Sequence, residues 1–364
     1  MQLAGAGINP LPNQDGRGER LMKLLHGIFR QLGLAGILAA ACSTAAAQSA
    51  ETMQALAAKA ARGEPVVWYE SSPENQIGEV LKAFNQRYPD VRVKYVRMVG
   101  GNELASRAIQ EVQARGHTAD LLTGGPDHLW QLNERGLVRD LSQDQLGLPP
   151  ALLPVNYAVP TTASVYVLLW NTRKVTDEQA PKSWDAVINE KWTGHVGSWV
   201  RAAAFAQLAS VWGEDKARTS LENFVKLKPY LFKSTFPLAQ GVASGEVDVA
   251  IGFYHSAQPV LDAGAPVKFR MLDPTPMHTI SSSVSKSARN PSGATLLMLW
   301  LATPEGAKAY EQATSRGNPL VSSTKTYEML QGVQTAEWPF ADVAKLADLN
   351  EQYNAILAKS RPAM

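Results

Sequence analysis

The sequence has little cysteine, no strong charge of either sign and no long apolar run. Its 364 residues hold a single cysteine, Cys42. That residue lies inside an N-terminal stretch with the three parts of a secretory signal. Lys23 and Arg30 form the basic region, Leu32 to Ala41 the apolar run, and Ala45-Ala46-Ala47 the small-residue site before Gln48. Cleavage after Ala47 leaves a chain with no thiol, which excludes disulfides, thiolate nucleophiles and cysteine-based metal sites together. The apolar run is far short of the ~20 residues that a membrane-spanning helix needs. The 35 basic and 33 acidic residues nearly cancel, for a formal net charge of +2. With no basic run of any length, nucleic acid is not an expected partner.

Residues 1–19 are polar and precede the basic region, so Met22 is expected to be the true start and residues 1–47 to be leader and signal peptide. A lipidated Cys42 is the alternative, but Ala39-Ala40-Ala41 lacks the leucine usual three positions before such a cysteine. Enzymatic signatures are missing as well. There is no GxSxG elbow, zincin helix or dinucleotide fingerprint, and no Lys-Ser or Lys-Thr follows a glycine loop as in a P-loop. His117, His128, His195 and His278 lack metal-ligand spacing. Scattered carboxylates leave an exported hydrolase as a remote alternative.

Present instead is an alternation of short β-rich runs with amphipathic helices from Pro65 onward, which predicts an α/β chain. Val66 to Tyr69 reads as a strand, Glu74 to Tyr88 as a helix with Ile77, Val80, Leu81 and Phe84 on one face. Val91 to Val96 is a second strand, a helix runs from Gly100-Gly101-Asn102 to about Arg115, and Ala119 to Leu122 is a third strand. After a crossover over Ala158 to Asn171 come strands at Val165 to Trp170, His195 to Gly197 and Val247 to Phe253, an apolar helix from Arg201 to Trp212, and a return strand from Met277 to Val284. Pro304 to Ala313 and the tail through Asn354 read as helical. Two α/β lobes joined by crossing segments enclose a cleft, a favoured place for a ligand.

In open α/β sheets ligands bind at the carboxyl ends of strands, where helix N-termini expose N–H groups. The candidate residues lie at such ends. Gly197-Ser198-Trp199-Val200-Arg201 offers Ser198 and Trp199 beside a helix start, with Arg201 as a clamp for a carboxylate or phosphate. The plain alternative is an N-cap and a solvated arginine. Gly101 with Asn102, and Gly124 with Gly125, allow close backbone approach. Tyr254 and His255 follow a buried strand and are expected in the cleft, where they either donate to ligand oxygens or together ligate a metal. Most tryptophans read as core.

The pieces VVWYESSPENQ, ADLLTGGPDHLWQL, YVLLWNTRKV, STFPLAQGVASGEVDVAIGFYHSAQ and ATPEGAKAYEQ occur together and in this order. On them the chain resembles the periplasmic solute-binding proteins of ATP-driven (ABC) importers, in the extracellular solute-binding family that includes the ferric-iron-binding proteins. The resemblance implies a type II periplasmic binding protein fold, two α/β lobes joined by crossover hinge strands with a ligand cleft between them. The lobes are expected over residues 48–160 plus 271–364 and over 161–270. It also implies a monomer in the periplasm that performs no chemistry, needs no cofactor, and passes a small ligand to a membrane permease. Ser71 and Ser72 stand in the first ligand loop, and Ser234 and Thr235 in another. Ferric-binding members use a His or Glu in the first loops and a Tyr-Tyr pair in the second lobe. Here that pair reads Phe253-Tyr254-His255, so an anionic ligand is the first expectation and ferric iron, held by Tyr254 and His255, the alternative.

Overall fold

The computed structural model describes residues 51–99, 101–141, 146 and 148–360. The expected leader, Cys42 and Gln48 therefore lie outside the described residues, as do Gly100 and the side chains of Gly101 and Asn102. Met53–Met364 makes up one compact unit.

The first three strands form in the expected order. β1 (Val66–Glu70), α1 (Glu74–Arg87), β2 (Val93–Arg97), α2 (Gly101–Arg115), β3 (Leu121–Gly124) and α3 (Pro126–Glu134) alternate, with β1 parallel to both β2 and β3. The apolar period of α1 buries Ile77, Val80 and Phe84 as its sequence requires.

The crossover is one long strand. β4 runs from Val159 to Asn171 and is buried along its whole length, so the apolar Val165–Trp170 segment is its second part. α4 (Trp184–Val187), β5 (Val196–Trp199), α5 (Ala203–Trp212), α6 (Glu214–Lys226), β6 (Tyr230–Phe232), α7 (Thr235–Ser244), β7 (Val249–Phe253), α8 (Tyr254–Asp262) and β8 (Val267–Arg270) come next along the chain. β9 (Thr275–Val284) returns, and α9 (Pro291–Ala302), α10 (Pro304–Thr314), α11 (Lys325–Met329), β10 (Thr335–Ala336) and α12 (Val343–Ala358) complete the chain.

The sheet order is β2-β1-β3-β9-β4-β7-β5-β6, with β10 on β9 and β8 on β4. β4 pairs with β9 from Val159 to Val165 and with β7 from Tyr166 to Trp170. β9 in turn pairs with β3 over its last residues. These two long antiparallel strands thus carry the chain between two groups of mainly parallel strands. Each group is covered on both faces. Val66, Trp68, Phe84 and Trp300 lie on one face of the first group and Tyr69, Leu104 and Leu122 on the other. Leu168, Phe205 and Ile251 lie on one face of the second and Leu169, Leu238 and Ala250 on the other. Covering both faces is what near-continuous apolar strands such as VYVLLW demand.

α12 packs on the second strand group. Leu346, Leu349, Tyr353, Ile356 and Leu357 join the apolar cluster of the second group, and Tyr353 Oη donates to the Glu214 carbonyl at 2.8 Å. No helix among the described residues is long and apolar enough to cross a membrane.

Candidate functional site

β1, β3, β5 and β7 end at Glu70, Gly124, Trp199 and Phe253, and helices α1, α3, α5 and α8 begin within a few residues of those ends. α8 follows β7 with no loop, because Phe253 itself has extended N-cap geometry. Side chains from both strand groups therefore meet at one place.

The floor is aromatic. Ser164 pairs with His278, and Tyr166 with Phe253. Two-residue periodicity then puts Ser164, Tyr166, Phe253 and His278 on one face. Phe253 stands 4.1 Å from Tyr166, 5.6 Å from His278 and 5.8 Å from Trp199, centroid to centroid. His255 lies stacked on it at 5.2 Å and 27°, with Phe236 edge-on at 6.0 Å.

One wall is the end of β1. Glu70, fully buried, accepts from Ser72 N at 2.6 Å, from Ser71 Oγ at 3.2 Å, from Ser72 Oγ at 3.1 Å and from Tyr95 Oη at 3.2 Å. Arg316, on the turn after α10, adds Nη1 to Glu70 at 3.3 Å. The same Nη1 donates to Ser71 Oγ and Ser72 Oγ. Its Nη2 donates to His255 Nε2 at 2.9 Å. A sharp turn aims this arginine. Ser315 is left-handed at φ 57°, and a Cβ on Gly317 would stand 2.1 Å from Glu311 Oε1.

α3 and the end of β5 form another wall. Asp127 accepts from Asn350 Nδ2 of α12 at 3.1 Å and lies 3.0 Å from His128 Nδ1. Burial pushes its carboxyl upward, but the charge and hydrogen bond of His128 outweigh this and hold it at about 2. Arg201 Cζ sits 5.1 Å from the Trp199 ring centroid, a cation–π contact. Arg201 has no carboxylate partner among the described residues. Burial pushes His278 down to about 4, Asp127 opposing and Arg316, His128 and Arg201 assisting. His255 is lowered well below its ordinary value by burial first, then by Arg316 and His278.

Tyr166 Oη, His255 Nδ1 and Arg316 Nε are buried in this cluster without a hydrogen-bond partner among the described residues. Buried donors of this kind normally find one.

The structure brings Ser71, Ser72, Trp199, Arg201 and His255 together in this way. Ser71 and Ser72 hold Glu70 and Arg316. Ser198 is buried in β5, and Ser234 is the N-cap residue of α7 without a side-chain cap bond. Thr235 Oγ1 lies 2.6 Å from Ser256 Oγ beneath His255. Gly124 closes the β3–β9 pairing. Gly125 makes room for a neighbour, since a Cβ there would stand 2.9 Å from Asp127 Oδ1. The expected free helix N-terminus after Arg201 is partly taken, because Ala202 N donates to Asn354 Oδ1 of α12 at 2.8 Å. Tyr254 packs edge-on against Phe269 at 5.3 Å and on the apolar cluster with Leu169 and Leu238. Among the described residues no hydrogen bond or ring contact joins it to His255. Sequence reasoning missed Glu70, Tyr166, His278, Asp127 and above all Arg316. The only hint of the last was the Ser-Arg-Gly-Asn-Pro turn signal after an amphipathic helix.

A depression of about 450 Å³ lies elsewhere, at the amino ends of β1 to β3, lined among others by Lys94, Arg107, His117 and Arg289. It shares no residue with the cluster around Arg316 and His255.

Comparison with known proteins fits this architecture. The family described as bacterial extracellular solute-binding protein matches residues 79–338. None of the curated proteins matches the sequence. Among solved structures, iron-bound HitA of Pseudomonas aeruginosa is similar at 19% identity and TM-score 0.68, covering 79% of this chain and 99% of that one. AfuA of Actinobacillus pleuropneumoniae, with fructose-6-phosphate bound, is similar at 21% identity and TM-score 0.66, covering 81% and 98%. An ABC-transporter substrate-binding protein of Agrobacterium tumefaciens has 17% identity, TM-score 0.70 and coverage of 81% and 95%. At such identities the likeness shows the fold, which is the type II periplasmic binding fold. With the family match spanning most of its length, the chain belongs to the bacterial extracellular solute-binding protein family.

Proposed function

We propose that the protein is the periplasmic binding component of an ABC importer, and that it captures a small, oxygen-rich anion between its strand groups and hands it to the membrane permease. The observation that carries this reading is the set of buried groups without a partner among the described residues, Tyr166 Oη, His255 Nδ1 and Arg316 Nε, together with an arginine, Arg201, that has no carboxylate partner among those residues. An unmade hydrogen bond at a buried donor costs about 1–3 kcal/mol. A ligand rich in acceptor oxygens removes that cost, and it does so only where both walls reach it. Closure is then favoured by differential affinity for the closed form.

In this reading the lobes are residues 48–160 with 271–364 and residues 161–270, moving about β4 and β9, with α12 packed on the second lobe. The protein acts as a monomer, holds no resident cofactor and does no chemistry on its ligand. Ferric iron has less support. Tyr254 and His255 do not converge, and His255 Nε2 already accepts from Arg316.

Native mass spectrometry of protein purified from the periplasm of its host tests the proposal. A small organic or inorganic oxyanion bound stoichiometrically is expected. Retention of iron with no oxyanion would sink it.

A further inference from the structure

Arg316 has only donors. Its Nη2 lies 2.9 Å from His255 Nε2, so that nitrogen supplies a lone pair. A neutral imidazole with its lone pair on Nε2 carries its proton on Nδ1. The ring is clamped in this orientation, stacked on Phe253 and edge-on to Phe236, so the Nδ1–H has a fixed direction. It is buried and has no acceptor among the described residues, like the Nε–H of the same arginine that sets it.

The arginine is itself set. Its Nη1 is tied to Glu70, Ser71 Oγ and Ser72 Oγ. Glu70 is held in turn by Ser72 N and by the hydroxyls of Ser71, Ser72 and Tyr95, and Tyr310 Oη lies 3.2 Å from Ser72 Oγ. A planar guanidinium fixed at Nη1 and Nη2 has no freedom left at Nε. The charged or titratable groups that bear on His255 are Arg316, from the turn after α10, and His278, from β9.

We infer that Glu70 is a positioning residue which, through Arg316, fixes His255 as the Nδ1–H tautomer, so that His255 Nδ1–H and, separately, Arg316 Nε–H are donors held for unprotonated ligand oxygens. This rests on the reading of the cleft as an oxyanion site and adds its selectivity. An acceptor oxygen that meets either N–H is rewarded. A hydroxyl or ammonium that must donate meets a donor, and a bare metal ion finds neither nitrogen lone pair available.

The tautomer is read directly from nitrogen-15 correlation spectra of the full chain labelled at histidine, with His255→Gln assigning the signal. In wild-type protein without added ligand, the Nδ1-protonated pattern is expected for His255. In Arg316→Met, whose methionine keeps the stem, the Nε2-protonated form should become the main one. Glu70→Gln should give a mixture of the two, and Glu70→Asp should restore the wild-type pattern in part. A structural role for Glu70 alone would not move the tautomer in a variant that melts like the parent. An Nε2-protonated His255 in the wild type, or wild-type signals in Arg316→Met, overturns the relay whatever the protein binds. The same spectra are then recorded with inorganic phosphate, methylphosphonate and acetate. A downfield move of the His255 Nδ1–H with one of these supports oxyanion recognition. Silence to all three with the expected tautomer overturns that recognition and the anionic reading beneath it, while the relay stands.

Discussion

Arg201 and Arg316 illustrate how two similar side chains reach one cleft by different routes. Arg201 stands where a strand end meets a helix start, and its guanidinium lies over Trp199. Arg316 is tied on both sides of its fork. In the proposed reading Arg201 is the arginine that takes up the ligand's charge, and Arg201→Ala should weaken oxyanion binding by about 1.5–3 kcal/mol, roughly ten- to a hundredfold. Arg201→Lys should recover part of this, since an ammonium keeps the charge and loses the planar fork. Titration calorimetry on the three proteins, using the anion identified by mass spectrometry, measures both effects. Equal affinity in Arg201→Ala and the parent would remove Arg201 from the site. At this scale the places of Ser71, Arg201 and His255 near strand ends were legible in the sequence, because each lies within a residue or two of an apolar run that announces its own end. Arg316 was not, for it lies 244 positions from Ser72, the hydroxyl its Nη1 reaches, and no local pattern records such a pairing.

Among the elements, α12 has the most consequence. Its amphipathic face packs on the second strand group, yet its polar side chains finish other elements. Asn354 Oδ1 accepts the Ala202 N–H at the start of α5, and Asn350 donates to Asp127 at the start of α3. α5 carries alanine at its N-cap, with no side-chain cap bond, and a distant asparagine accepts the N-cap N–H, the bond that an N3 glutamate or glutamine makes in a capping box. Asn354→Ala should lower stability by about 0.5–2 kcal/mol, the range for a lost N-cap, measured by urea unfolding. No change would mean that water replaces the cap without loss. Helical periodicity made the tail readable as a helix. Which strand group it covers was not readable, because an apolar stripe fits either core. α6 and α9 were likewise not anticipated. α9 is buried nearly all round and so lacks the two-sided pattern that marks a helix.

Across the molecule, β9 and the segment after β10 meet through Glu337, which accepts from Thr279 N and, at 3.3 Å, from Thr279 Oγ1. Burial raises its carboxyl to about 7, the Thr279 hydrogen bonds opposing. A raised acid favours the neutral form in the folded state. The stability this group contributes is full below its ordinary value near 4.5 and is lost as pH rises through about 7. Glu337→Gln, neutral at every pH, should therefore stabilise the protein at pH 8 by on the order of 1–3 kcal/mol and do little at pH 4. His278 runs the other way. Its value, lowered to about 4, means that stability is lost as pH falls from about 6.5 through 4. Thermal scans of Glu337→Gln and the parent from pH 4 to 8 check the first effect. A gain that is the same at both ends would show that the carboxyl is not strained by burial.

Sequence alone determined the α/β class, the places of the strand ends, and the family, since each depends on short-range pattern: apolar period, turn residues and the order of segments. Tertiary structure alone decided that β4 and β9 run unbroken between the strand groups, that Tyr254 turns to Phe269 while its neighbour His255 turns to Arg316, and that Glu70 is buried under Arg316. Adjacent residues at a helix start point in different directions, about 100° apart for a turn of 3.6 residues. Which of them faces the cleft depends on how the whole helix is seated. Charge pairs such as Glu70 and Arg316 form only once β1 and the turn after α10 are packed side by side, and that packing comes from long-range burial of apolar area, a term that no window of sequence contains.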